Sequence, residues 1–325
     1  MSNHRIPAVL TGLGTCLPPR VVTNEDLARR LDTSHEWIHS RTGIASRRIA
    51  DAGTSTAELA AAAGGAALES AGRSSCDLVL VATTTPDRAC PATAPQVASA
   101  LGLTGAGAFD LSAVCSGFVY GLSVAAAMIG AGTCAGVLVI GAERYSAIVD
   151  PQHRGTAVIF GDGAGAVLLE RGEVADGYGA VLHTELGSDG TGNEMITVPP
   201  GERYLQMRGR EVYTRAVPTM TDSARRAAAA VGWQPADIDA FVGHQANLRI
   251  LESVAKRIGV PPQRVITNIE DVGNTAAASI PLALAAAADE GRLTPGDRVV
   301  LTAFGGGLTW GSAALRWPDV RPVHR

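Results

Sequence analysis

Three observations in the sequence predict a layered α/β protein. Short β-branched runs are separated by alanine-rich segments of helical character, the spacing of a mainly parallel sheet covered by helices. The runs recur in one order in the two parts of the chain. An apolar fraction of 46% over 325 residues is ordinary for a compact protein that can bury a deep site.

The elements follow in order. The N-terminal MSNHRIPAVLTGLG lacks the charged start, long apolar centre and small-residue cleavage site of a secretory signal, and AVLTGLG within it reads as a first strand. DLVLVATT, GAFDLS, GVLVIGA and GAVLLE read as further strands. From Gly121 to Ala142 there are 22 residues without a charge, long enough to cross a bilayer. The turn chemistry of GAGTCAG divides that span into a buried helix through about Ile129 and a buried strand VLVIGA, so no membrane segment is expected. In the second part DIDAFVGH, RVITNI, DRVVLTAF and GSAALRW read as strands. QANLRILESVAKRIG reads as a helix on Leu248, Leu251, Val254 and Ile258, and Pro218 asks for a kink or a later start in its own helix.

The repeat of this order has a register. Asp77 before VLVA corresponds to Asp239 before FVGH, and Val137 to Val299, both 162 residues on. Cys115 is matched to Asn274 at 159, and Phe160 to Phe304 at 144, because only the first part contains the excursion YSAIVDPQHRGTAVI. Two duplicated halves are expected, 1–172 and 173–325, with an insertion of the kind that often carries function.

A net charge of −4 and a pI near 6.0 give no global case for nucleic acid or an anionic membrane as partner. The five cysteines, Cys16, Cys76, Cys90, Cys115 and Cys134, are odd in number and show no C-x-x-C pair. That argues against a disulfide framework or a metal site and for a reducing cytoplasm.

Cys115 stands between an extended run and a helical one. A thiol at a helix N-terminus faces backbone N–H groups and the positive end of the dipole, so its thiolate becomes accessible near neutral pH. Taken alone, each is better read as structural: Cys115 as a small buried apolar residue, His244 as a core imidazole satisfied by backbone, and Asn274 as a helix cap. Together, a thiol, an imidazole and an amide at strand ends suggest covalent catalysis with donors aimed at an oxyanion. An amide in place of a carboxylate favours carbanion chemistry over hydrolysis. The glycines of AFGGGLTWGSA let backbone approach a reacting centre, whereas FGDGAGA lacks both the G-x-G-x-x-G spacing and the following helix of a nucleotide loop.

These residues resemble the thiolase superfamily, and within it β-ketoacyl-acyl carrier protein synthase III. The similarity runs over nearly the whole chain: HEWIHSRTGI from His35, AVCSGF around Cys115, DPQHRGT at Asp150, FGDGAGA, HQANLRI at His244, GNTAAAS at Gly273 and FGGGLTWGSA at Phe304. The resemblance implies a five-layered αβαβα homodimer and a ping-pong reaction without a cofactor. Cys115 would be acylated by an acyl-CoA, with the backbone N–H groups of Cys115 and Gly306 as oxyanion hole. His244 and Asn274 would stabilise the enolate formed as malonyl-acyl carrier protein loses carbon dioxide. Phe304 and Cys90 would border the acyl pocket; a bulky phenylalanine is frequent in the family at the position of Cys90, so a larger primer than acetyl is expected. Trp37 and Arg154 would flank the adenine of CoA with Arg41 near its phosphates, and Arg249, Lys256 and Arg257 would dock the acidic carrier protein. One basic docking position of the family is Thr214 here, beside Arg215. Acyl transfer without condensation and a non-catalytic carrier-binding subunit stand as alternatives, and initiation of fatty acid or of polyketide chains as two settings.

Overall fold

The computed structural model describes residues 6–172 and 177–325. The expected junction at 172 and 173 borders residues outside the described ones, as does the start of the N-terminal segment. The first sheet holds β1 (Ala8–Cys16), β2 (Leu78–Ala82), β3 (Gly107–Leu111), β4 (Gly136–Arg144) and β5 (Asp162–Arg171). Their spatial order is β1-β5-β4-β2-β3, with the short strand Val323–His324 alongside β1. The second sheet holds β6 (Val181–Ser188), β7 (Ala240–Gly243), β8 (Arg298–Gly305) and β9 (Thr309–Arg316), in the order β7-β8-β9-β6.

Five layers follow from what each strand face buries. Val79 and Val81 of β2 face a cluster with α1 (Thr56–Ser70) and α2 (Thr93–Ala100), whereas Leu78 and Leu80 face the centre of the molecule. There α3 (Gly117–Gly130) supplies Phe118, Leu122 and Ile129. Val300 and Phe304 of β8 pack with α4 (Gly209–Ala230) and α5 (Leu248–Ile258). Val299 and Leu301 turn inward to the same central core, which also takes Ile280 and Leu284 of α6 (Ser279–Asp289). The order is therefore helices, sheet, the α3 and α6 pair, sheet, helices. Strands buried on both faces read as continuous apolar runs, which is why most were legible in the sequence.

The expectation of mainly parallel sheets is corrected. β3, β2 and β4 are parallel, as are β7 and β8, but β5 runs antiparallel to β4 and β1, and β9 to β8 and β6. Only Gly306 to Leu308 separate β8 from β9, too few for a crossover. RVITNI makes a single bridge, Val265 to Phe241, instead of a strand. β6 escaped the sequence reading because Leu182 and Leu186 face outward among polar residues, leaving no apolar run. α4 passes through Pro218 without a later start, and in α5 Leu251, Val254 and Ile258 are buried as expected while Leu248 is half-buried. The uncharged span resolves into α3 and β4, and among the described residues no helix is long and apolar enough to cross a membrane.

The two sheets follow one plan, β1-β5-β4-β2-β3 matching β6-β9-β8-β7 and the Val265 bridge. Asp77 and Asp239 do the same work: Asp77 Oδ2 accepts from Gly136 N at 3.1 Å, and Asp239 Oδ2 from Arg298 N at 3.0 Å. The pairing of Cys115 with Asn274 is corrected. Tight turns at Val114–Ser116 and Ala276–Ala278 lead into α3 and α6, and their first residues share a left-handed backbone, φ 47° at Val114 and 45° at Ala276. The partner of Cys115 is thus Ala277, at the same 162-residue offset as the aspartates. Alanine repeats in the sequence let the two segments align three residues out of register.

The turns meet through small residues. A Cβ on Gly141 would lie 2.3 Å from the carbonyl oxygen of Ala277, and one on Gly117 would lie 2.9 Å from Ala82 Cβ. At Gly141 the obstacle is backbone from the other part of the chain, so neither can yield without moving the other. Gly141→Ala is expected to lower stability by about 2 kcal/mol or more, read as a fall in the urea midpoint at unchanged slope.

Candidate active site

The carboxyl ends of β3 and β7 lead to Cys115 and His244, the position where ligands of open α/β sheets gather. Cys115 follows β3 on the turn that begins at Val114, whose φ of 47° is an uncommon conformation for a β-branched residue. That turn runs directly into α3, so the thiol stands at the amino end of a 14-residue helix. Gly305, the last residue of β8, lies against it: a Cβ there would be 2.7 Å from Cys115 N. The glycine is required for the two backbones to close on one another. Gly306 is next, with Thr309 Oγ1 donating to the carbonyls of Ala113 at 2.9 Å and Gly306 at 3.1 Å.

The segment from Asn274 to Ser279 joins the remaining groups. His244 directly follows β7 and its Nδ1 pairs with Ser279 Oγ at 2.7 Å, which leaves Nε2 for a reactant. Asn274 Oδ1 accepts from Ala276 N at 2.9 Å, so the NH2 end of the amide remains as a donor. Ala276 in turn packs with Cys115, Tyr145 and Phe160, and Phe160 bridges to Asn274. Ser279 is the last residue of GNTAAAS, so the motif held the orienting group although the sequence reading did not single it out.

Burial sets the protonation states. Burial pushes the Cys115 thiol well up, and the Glu143 carboxyl beside it adds to the shift, so the helix terminus acts against a strong desolvation. The same burial holds His244 down at about 3, keeping the imidazole neutral. Glu143, at the end of β4, is pushed up to about 7 by burial although Thr84 N and Thr85 Oγ1 donate to it.

The other expected groups divide. Trp37 is half-buried on the helix His35–Thr42, with Arg41 at 4.6 Å and Arg154 at 4.7 Å from its ring. One aromatic face and two guanidiniums are thereby brought together from distant parts of the chain. Arg249, Lys256 and Arg257 are all exposed on α5. The acyl-pocket pair lies outside the apolar cluster that holds Cys115. Phe304 precedes Gly305 on β8 and packs with α4 and α5. Cys90 is exposed on the loop after β2. The side chains that do surround Cys115 are Tyr145, Val149, Phe160, Leu205 and Ala276. Nothing in a single sequence marked Tyr145 or Leu205, whose elements are far apart in the chain.

Residues 109–190 match the model of the family 3-oxoacyl-[acyl-carrier-protein (ACP)] synthase III, and residues 228–317 match that of its C-terminal part. The chain is 70% identical over 320 residues to "Beta-ketoacyl-[acyl-carrier-protein] synthase III 2" of Streptomyces coelicolor, covering 98% of this chain and 97% of that one. This chain belongs to the 3-oxoacyl-[acyl-carrier-protein] synthase III family. The crystal structure of the synthase III from Pseudomonas aeruginosa PAO1 superposes with a TM-score of 0.95 at 50% identity, over 97% of this chain and 100% of the other. The priming β-ketosynthase of the R1128 polyketide pathway superposes at 0.91, with 37% identity over 97% of each. The expected thiolase-like fold is therefore shown, and the chain is an acyltransferase of the synthase III type, condensing an acyl-CoA with malonyl-acyl carrier protein.

The neutral state of His244 has a consequence for stability. Its folded value of about 3 lies below the ordinary 6.5, so as pH falls through that window the unfolded chain takes up a proton that the folded one refuses. Stability is expected to drop by up to about 1.4 kcal/mol per pH unit from this site. Comparing denaturant midpoints of the wild type and His244→Gln from neutral pH downward should show a shallower fall in the variant.

Proposed function

We propose that Cys115 is the residue acylated by the primer, with His244 and Asn274 acting in the second half-reaction. The observation that carries this reading is the placement of Cys115 against Gly305 at a helix start, with the Asn274–Ser279 segment packed beside it. In the first half-reaction Sγ attacks the thioester carbonyl, and the N–H groups of Cys115 and Gly306 receive the oxyanion. In the second, malonyl-acyl carrier protein loses carbon dioxide and negative charge develops on its thioester oxygen. Two neutral donors, His244 Nε2 and the Asn274 amide, suit that charge because they bind it more strongly than they bind the ground state. The carbanion then attacks the acyl-Cys115 carbonyl and releases the β-ketoacyl carrier protein.

The Trp37, Arg41 and Arg154 cluster fits the adenine and phosphates of CoA, by stacking and by guanidinium–phosphate pairing. The exposed Arg249, Lys256 and Arg257 fit an acidic carrier protein. Two halves of the chain, 1–172 and 173–325, would each supply part of the centre, and the reducing cytoplasm suits its free thiols. A homodimer is the proposed assembly. β3 is the outer strand of its sheet, with Phe109 41% exposed, and a second copy pairing along it would cover that edge. Asp110 of β3 accepts from Thr93 N and Ala94 N, so the Cys90 loop lies at the same border and would reach the partner's pocket. A small residue there leaves room for a primer longer than acetyl or branched. The pathway, fatty acid or polyketide, depends on that primer.

Four outcomes are expected. Cys115→Ala should lose acyl-enzyme formation from acyl-CoA, read by intact mass, and lower turnover by at least about a thousandfold. His244→Ala and Asn274→Ala should still acylate, while labelled carbon dioxide release falls roughly 10²- to 10³-fold. Acyl transfer by the wild type with no carbon dioxide released would favour the non-condensing alternative. In sedimentation the particle should have twice the mass of the 33.3 kDa chain, and Cys90→Phe should shift primer choice toward acetyl-CoA in a graded series; a wild type that already prefers acetyl defeats the larger pocket.

A further inference from the structure

Tyr145 is fully buried just past β4, stacked on Phe160 with ring centroids 4.5 Å apart, in the apolar cluster that holds Cys115. Its hydroxyl is enclosed and has no hydrogen-bond partner among the described residues. A buried hydroxyl left unpaired costs about 1–3 kcal/mol, and phenylalanine would fill the same space without it. Tyr145 and Cys115 share one apolar cluster, and the groups that act on the hydroxyl are the Cys115 sulfur, the Glu143 carboxyl and the Thr84 hydroxyl, the last itself enclosed and without a partner. With no surface open to solvent, the hydroxyl can serve only a group already in contact with it. Of its neighbours, the sulfur is the one whose demand for a donor changes during turnover: a thiol is a weak acceptor, a thiolate a strong one.

We propose that Tyr145 is a catalytic residue whose hydroxyl is held for the Cys115 thiolate, donating to Sγ as the thiol ionises to attack the primer. This rests on the reading of Cys115 as the acylated residue and adds the group that makes its ionisation possible in a buried place. In the step, the Sγ–H bond breaks, a bond forms between Sγ and the acyl carbon, and the bond from that carbon to the CoA sulfur breaks. The thiol proton ends on the departing CoA sulfur, and Tyr145 keeps its own. Burial holds Tyr145 well above its ordinary range, so it is a donor at every working pH. The titratable groups facing the sulfur are Tyr145 and Glu143 at the end of β4. Glu143 opposes a neighbouring anion, whereas Asp162 is occupied by Ser146 and Ala50. The turns at 276–278 and after β8 bring only alanine and glycine backbone to this place.

Tyr145→Phe keeps the ring stack and removes the unpaired hydroxyl, so its thermal midpoint should match or exceed that of the wild type. Alkylation of Cys115 by iodoacetamide, followed by peptide mass between about pH 6 and 10, reads the thiolate without any acyl substrate. The alkylation rate profile is expected to move up by about one pH unit, a tenfold loss of thiolate at neutral pH. Acyl-enzyme formation should slow by the same factor near neutrality and recover at high pH. Superimposable alkylation profiles, or a loss equal at every pH, would overturn the proposal. A shifted alkylation profile in a protein that acyl-CoA never acylates would support the hydrogen bond and overturn the primer reading instead.

Discussion

On the proposed reading of Cys115, a sulfur that must carry charge sits where burial opposes charge, and much of the surrounding architecture bears on that conflict. The thiol is placed at the start of α3, on a strained turn that holds one residue in a left-handed conformation to aim the next. Gly305 lets a second backbone close against it, and the donors nearby are fixed before any reactant arrives. Prepositioned dipoles are worth more in such a site than in water, because nothing has to reorganise when charge develops. The same burial that raises the Cys115 thiol keeps the His244 imidazole uncharged. Charge enters only with the reaction.

The internal duplication shows how such a site is divided. At the shared offset of 162 residues, Cys115 corresponds to Ala277 and His244 to Ala82. Each half thus carries alanine where the other carries a reactive side chain. The alanines are also contact residues: Ala277 meets Gly141, and Ala82 meets Gly117. The first of these contacts joins the two halves, and the second closes α3 onto β2 within the first half. A larger residue at the idle position would separate the groups that the other position supplies.

Around that centre, arginine works at two depths. On the surface, Arg41 and Arg154 lie over Trp37, a planar, charged and solvent-facing arrangement. Beneath it, Arg47 is fully buried and donates to the carbonyls of Val22 and Val158 and to Asn24 Oδ1. It ties the segment after the Trp37 helix to the excursion that carries Arg154. Arg154 is also held directly, its guanidinium donating to the carbonyl of Asp32 at 2.7 Å.

The sequence by itself determined the layered α/β class, the strands buried on both faces, the reactive types at strand ends and the motifs that carry the family. Those features are local: a continuous apolar run, a helix period and a glycine run state their own structure. It left out β6, whose apolar residues face outward, and it misaligned Cys115 with Asn274 because alanine repeats look alike at several offsets. Only the tertiary structure decided that β5 and β9 run antiparallel, that Phe304 packs with α4 and α5, and that Tyr145 and Phe160 share the apolar cluster of Cys115. Each of these depends on which face of which strand meets a partner from elsewhere in the chain, and neither composition nor spacing encodes that meeting.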